Sequence, residues 1–382
     1  MIAIVTSEFP PMPAAAAARV APWYEELVAQ GCKVTIFTSR SVTAIDSNIV
    51  RSIFPTPNNK SNLISRFFQE IFLGLDLGFR MWKMRKTLSC CIISSPPFFM
   101  SCMCVFFAQL GGVSYAFDVR DRYPKVLYDL GYFKSIVIIK RLLDLIEFSV
   151  YKNAKFVCTV TKGLFDDLKN DFPQRKSRFS LVRNGFDERI FNEKILSISK
   201  RKKFTVVYHG RLGKFYDSSS LIEVINMVNK SDPSVQFLLI GDMPILIREK
   251  FSKNVEFMES LPLSDLAKVL STCHLGICIL QDLPAMKKAF PAKAYDYIGA
   301  GLPILIAPNG ELAEMTKQSG IGLSFQKVDP REITGEIIKL KNNHEKWGKL
   351  ESTLLEKRSM YGRRLASRHF LSALMKKNCC ER

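Results

Sequence analysis

Nothing in the 382 residues stays apolar long enough to cross a bilayer: the most apolar stretch, Pro96 to Val113, is interrupted by Pro97, Ser101, Gln109, Gly111 and Gly112. The chain also lacks the basic flank and small-residue cleavage site of a secretory leader. Met1-Ile2-Ala3-Ile4-Val5-Thr6 reads as a strand that starts at once, so the expected compartment is the cytoplasm. Metal-binding spacing is missing. The ten cysteines include the neighbours Cys90-Cys91 and Cys379-Cys380 and the near pair Cys102 and Cys104, but no two CxxC pairs, and are read as reduced, mostly buried thiols. The four histidines, His209, His274, His344 and His369, are scattered, and no Asp-x-Asp pair offers Mg²⁺ a seat. No Gly-x-Gly-x-x-Gly follows the first strand, and neither Gly-x-x-x-x-Gly-Lys-Ser/Thr nor Gly-x-Ser-x-Gly occurs. Nicotinamide and ATP readings thereby lose their main support.

Acidic residues are also scarce. Against 55 Lys+Arg stand 36 Asp+Glu, a net charge of +19 that draws a protein towards polyanions or anionic lipid. Nucleic acid is set aside as a partner, because no zinc-finger spacing, RNP-like aromatic motif or basic-region heptad is present. Leu63 to Lys86 mixes Phe67, Phe68, Phe72, Phe79 and Trp82 with Arg66, Arg80, Lys83, Arg85 and Lys86, the composition of a helix lying in a membrane interface. The same apolar spacing also serves an ordinary core-facing amphipathic helix.

At 47% hydrophobic residues the chain can fill two cores, and its length calls for two domains. Up to Val182, strand and helix patterns alternate: strands at 2–6, 33–38, 91–94, 114–118, 156–160 and 179–182, helices at 15–30, 63–86, 99–110, 135–152 and 162–171. Basic Lys194 to Lys203 suits neither element and is the expected linker. A second alternation starts at Thr205. The predicted domains are 1–193, 204–355, and a basic helical tail 356–382 that can return to the first domain. Such alternation gives two doubly wound α/β sheets, with ligands outside the carboxyl ends of the strands, and two domains on one short linker can open and close around a central cleft.

Three segments of the second half carry chemistry. Phe290 to Ala307 reads as a short helix ending at Gly301 and running into a strand, which puts Lys293 and Asp296 on one helix face at a strand end. A carboxylate there can accept from two ribose hydroxyls, or the two residues can form a surface ion pair. His209-Gly210-Arg211-Leu212-Gly213-Lys214 links a strand to a helix. Glycine lets backbone approach a ligand while Arg211 and Lys214 can neutralise a diphosphate, although such turns are also common as plain structure. Pro308-Asn309-Gly310-Glu311 starts a helix whose free amides can bind phosphate oxygens or simply be capped by Asn309. Converging at strand ends, these loops describe a nucleotide-sugar site.

The order of motifs resembles family 4 glycosyltransferases of the GT-B fold, of the bacterial surface-polysaccharide type, over nearly the whole length. The matching residues are Phe9-Pro10-Pro11 with Arg19, Gly31-Cys32-Lys33-Val34-Thr35, Ser95-Pro96-Pro97, Asp118 to Pro124, Arg183-Asn184-Gly185-Phe186-Asp187 with Phe191, Gly210-Arg211-Leu212, Gly241-Asp242 and the Pro-x-Lys-x-x-Asp-Tyr segment. The resemblance implies two Rossmann-like domains facing a central cleft, and transfer of a sugar from a nucleoside diphosphate sugar to a polyprenyl- or other lipid-linked glycan precursor. It further implies retention of configuration; Arg211, Lys214 and the helix amides make a metal or other cofactor unnecessary, and the net charge with the Leu63 to Lys86 helix points to a peripheral place on the inner face of the cytoplasmic membrane. Arg211 and Lys214 would neutralise the diphosphate, and Asp296 stands where the family's Glu meets ribose. Gly210 and Lys293 complete the donor site with Gly310 and Glu311, which lie against phosphate or the transferred sugar. The first-domain loops would face the acceptor, with Arg19, Asp118 and Arg120 binding it and Asp121 a catalytic candidate. The chain departs from the family in having Asp296 instead of Glu, Lys288 at the partner position eight residues earlier, Ala14 to Ala18 where many members have Gly-Gly, and Arg120 where many have His. Two alternatives are a non-hydrolysing nucleotide-sugar epimerase, which needs no acceptor, and an inactive basic membrane scaffold with a degenerate donor pocket.

Overall fold

Short runs rich in Val, Ile and Phe, with no alternation of polarity, become strands buried on both faces. Seven of them, β1 (Ile2–Val5), β2 (Val34–Thr38), β3 (Ile49–Arg51), β4 (Cys90–Ser95), β5 (Ser114–Val119), β6 (Phe156–Thr159) and β7 (Phe179–Leu181), form a parallel sheet ordered β3-β2-β1-β4-β5-β6-β7. Register sets Ile4 beside Ile36 on one side and Ile92 on the other. The connecting helices are α1 (Ala15–Ala29), α2 (Leu63–Lys83), α3 (Phe98–Leu110), α4 (Lys125–Asp129), α5 (Val137–Asn153) and α6 (Lys162–Asp171). Alternate strand residues feed two cores. Ala3, Val5, Cys91 and Ile93 pack under α2, α3, α5 and α6, whereas Ile2, Ile4, Cys90 and Ile92 pack under α1.

After α7 (Glu193–Leu196) come β8 (Thr205–His209), α8 (Ser218–Ser231), β9 (Gln236–Ile240), α9 (Ile245–Arg248), β10 (Val255–Met258), α10 (Leu263–Ser271) and β11 (Leu275–Ile279). They are followed by α11 (Pro284–Lys287), α12 (Ala292–Gly299), β12 (Ile304–Ala307), α13 (Glu311–Ser319), β13 (Gly322–Ser324), α14 (Pro330–Asn342), α15 (His344–Lys357) and α16 (Arg363–Lys376). The six strands form a parallel sheet ordered β10-β9-β8-β11-β12-β13. The chain is thus α/β with two doubly wound sheets.

This computed structural model describes residues 1–376 apart from 45, 59–60, 130, 133–135, 214 and 253. It divides into two units, Met1–Arg183 with the segment from Ala366, and Asn184–Leu365. The division falls ten residues before the boundary expected from sequence (193 against 183), because Phe186 and Phe191 are buried in the second unit's core and the Phe186 carbonyl accepts from Arg363 N–H at 3.0 Å. The segment from Ala366 belongs to unit 1, where Phe370 stacks on Trp23 with ring centroids 4.0 Å apart. Among the described residues seven cysteines are free, as expected, and Cys90 is disulfide-bonded.

Candidate functional site

In unit 2, β8 lies between β9 and β11, so the loop after β8, the loop after β9 and the residues leading into α12 and α13 share the carboxyl edge of the sheet. Two glycines let the first two loops touch. Gly210 has φ +94° and Gly241 φ +140°, a region that L side chains rarely adopt, and a Cβ on Gly241 would lie 2.9 Å from the Gly210 carbonyl oxygen. Gly210 N–H donates to the Ile240 carbonyl at 2.8 Å, fixing the turn.

Lys293, in the first turn of α12, points its ammonium under that turn. Nζ lies 3.5 Å from the Tyr208 ring centroid and 3.8 Å from that of Tyr216. It is buried, and among the described residues it has no hydrogen-bond acceptor. Burial therefore pulls the amine down to about 7, with Cys278 and Asp296 acting in the opposite direction. One helical turn on, burial raises the Asp296 carboxyl to about 7, against the pull of Arg363 and Lys293. His209 Nε2 is 3.5 Å from an Asp296 oxygen. The contact is not an ion pair, because burial and the Lys293 charge hold the imidazole down at about 3, hence neutral. An ammonium, a carboxyl and a neutral imidazole thus meet with few internal partners, an arrangement that a bound anion with adjacent hydroxyls would complete.

Gly310 sits where a Cβ would lie 2.8 Å from the Cα and carbonyl oxygen of Lys287, so this position has no room for a side chain. No side chain caps the start of α13, since Asn309 Oδ1 accepts from Gly310 N–H at 2.9 Å instead, and Glu311 is buried in the first turn. Arg211 is exposed, with no partner among the described residues, and its carbonyl accepts from Tyr208 O–H at 3.1 Å. Lys214 lies outside the described residues.

Unit 1 treats its candidates differently. Arg19 and Asp118, expected at the acceptor, are buried against each other: Arg19 Nε and a terminal nitrogen reach the carboxylate at 2.8–3.0 Å. Ser94 Oγ donates to Asp118 at 2.9 Å, Cys158 Sγ at 3.2 Å, and Arg19 donates to the Val182 carbonyl at 3.0 Å. The pair ties α1 to the ends of β4, β5 and β6, so Arg19 and Asp118, expected at the acceptor, are engaged with each other. Arg120, half-buried, donates to the Pro96 carbonyl, and burial lowers its guanidinium. Asp121 is exposed, and its carboxyl is raised by desolvation, with Arg120 and Arg66 opposing. Of the unit 1 candidates, Asp121 is therefore the carboxylate placed where another molecule can reach it. Among the described residues, no group of three His, Cys, Asp or Glu is placed to hold a metal ion.

Residues 203–343 match the family model described as Glycosyl transferases group 1. Every unit 2 residue placed at this site except Arg363 lies inside that segment. The second unit thus carries a glycosyltransferase group 1 domain. A chitobiosyldiphosphodolichol beta-mannosyltransferase of Candida glabrata is 22% identical over 361 residues, covering 82% of this chain and 76% of that protein. Two solved structures share the fold. Anabaena HepE in complex with UDP has a TM-score of 0.69 at 12% identity, covering 98% of this chain and 99% of that one. Sucrose-phosphate synthase from Thermosynechococcus elongatus has a TM-score of 0.72 at 14% identity, with 98% of each chain covered.

In this domain the sequence pointed to Lys293 and Asp296 but not to the groups that tune them. Tyr208 reads as one more apolar strand residue and Tyr216 as a loop aromatic, yet their rings bracket the ammonium. Arg363, whose charge acts on Asp296, lies 67 positions further on (363 − 296), beyond the reach of any local pattern.

Proposed function

We propose that the enzyme moves a hexosyl unit from a nucleoside diphosphate sugar to a lipid-linked glycan precursor during surface-polysaccharide assembly, at the inner face of a membrane. The observation that carries this is the buried Lys293 ammonium, held between two tyrosine rings beneath the Gly210 turn with no acceptor among the described residues. An anion is the natural counterpart of such a group. The names of the relatives support the choice: HepE was solved with UDP, and the Candida glabrata enzyme is named for a dolichol diphosphate acceptor.

In this reading the diphosphate lies against Lys293, Arg211 and the amides opening α13, while Asp296 accepts from the ribose hydroxyls. Negative charge grows on the departing diphosphate as the anomeric C–O bond breaks, and donors already in place stabilise it without a metal. The acceptor oxygen bonds the anomeric carbon from the same face, and its proton passes to the departing phosphate oxygen, which gives retention. Asp121 and Arg120 of unit 1 attend the acceptor.

Arg211→Ala is the direct test. Its side chain is exposed, so the melting temperature is expected to stay put while turnover falls by about 10²-fold. Unchanged turnover would remove Arg211 from the mechanism. Activity is likewise expected to survive EDTA, and loss of turnover restored by Mg²⁺ would refute the metal-free reading.

A further inference from the structure

The helix layer over one face of the unit 1 sheet turns an apolar surface outward. Gly74 and Gly78 of α2 allow the closest approach to α3: a Cβ on Gly74 would lie 2.7 Å from the Met100 backbone, and one on Gly78 2.4 Å from the Phe107 ring. With its small residues turned inward, α2 leaves Phe68 and Phe72 outside, 50% and 48% exposed. α3, packed against both α2 and α5, contains no charged residue and exposes Phe106. α5 exposes Ile138, Leu142 and Leu145, at 81%, 57% and 65%. Three adjacent helices thus present large side chains to solvent on the outside of one layer, well beyond what isolated surface hydrophobics produce.

The charges on these helices are one-sided. Each acid is engaged: Glu70 with Arg66, Asp76 with Arg80 and Ser52, Glu147 with Arg122, and Asp144 with the Tyr128 hydroxyl. Lys83, Lys140 and Arg141 have no carboxylate partner among the described residues. The helices that carry the apolar side chains therefore also carry uncompensated positive charge. A second copy of the chain docked by two-fold symmetry would bring the same free cations together. An anionic bilayer matches both features.

We infer that α2, α3 and α5 form one continuous membrane-seated face, with anionic headgroups on Lys83, Lys140 and Arg141 and the exposed side chains of all three helices in the acyl boundary. No helix among the described residues is long and apolar enough to cross a membrane, so the face lies on the bilayer. The inference deepens the proposed use of a lipid-linked acceptor, and its test needs neither donor nor acceptor. The full chain is mixed with phosphatidylcholine vesicles, with and without phosphatidylglycerol, and bound protein is measured by sedimentation and by quenching of Trp82 with brominated lipid. Binding and quenching are expected with phosphatidylglycerol and should weaken in high salt. Leu142→Asp with Leu145→Asp, on α5 alone, is expected to lower partitioning about 10-fold or more. The melting temperature and transfer to a soluble acceptor should be retained, which separates lost seating from lost folding and from failure of the proposed reaction. Binding indifferent to the α5 substitutions would overturn the three-helix face. So would a concentration-dependent dimer, broken by the same substitutions, that ignores vesicles.

Discussion

Asp118→Ala is expected to destabilise unit 1 by about 3–5 kcal/mol. The carboxylate is fully buried and accepts from Arg19, Ser94 and Cys158, so its removal takes the counter-ion from a buried guanidinium. The cost comes mainly from the orphaned charge. Arg19→Met with Asp118→Leu is therefore expected to lose much less than Asp118→Ala alone, since no unpaired ion remains. Urea unfolding of the two variants checks this, each read against an unchanged m-value. A loss below about 1 kcal/mol for Asp118→Ala would mean that the pair does not clamp the strand ends, and would reopen a role for Arg19 at the acceptor.

That clamp also marks where the sequence stopped being legible. Strands such as 236–240 and helices such as 162–171 can be read directly, because full burial writes an uninterrupted apolar run and amphipathic helices write their period. β3 escapes, since a three-residue, half-exposed edge strand has neither signature. A charged residue at a strand end is ambiguous in a deeper way. Arg19 and Asp118 carry the same chemistry whether they face a ligand or each other, and only the fold brings together side chains 99 positions apart. Lys293 and Asp296 were legible because i and i+3 on one helix fix their shared face regardless of tertiary context. What the helix could not reveal was the depth at which they lie, and that depth is what shifts both groups to about 7.

Lys293→Met is expected to lower turnover by about 10²–10³-fold while making the unliganded protein more stable by on the order of 1–3 kcal/mol. Both effects have one cause. The amine titrates near 7 in the fold and near 10.4 unfolded, so the penalty for holding it charged is complete below pH 7 and fades as the pH rises towards 10.4. Methionine fills the gap between Tyr208 and Tyr216 without that penalty, and the gain measured by urea unfolding should be greatest at or below pH 7 and vanish at high pH. A diphosphate placed against Nζ favours the ammonium, so donor binding by the wild type should take up a proton above pH 7, and affinity should fall by up to about tenfold per pH unit there. Below pH 7, protonation of Asp296, whose carboxyl also titrates at about 7, should weaken the ribose contact and give the opposite limb. Calorimetry in buffers of different ionisation enthalpy reads the proton directly. In Lys293→Met the alkaline limb is expected to disappear and the acid limb to persist. If the alkaline limb survives in that variant, the titrating group is another residue and the buried ammonium is not what receives the diphosphate.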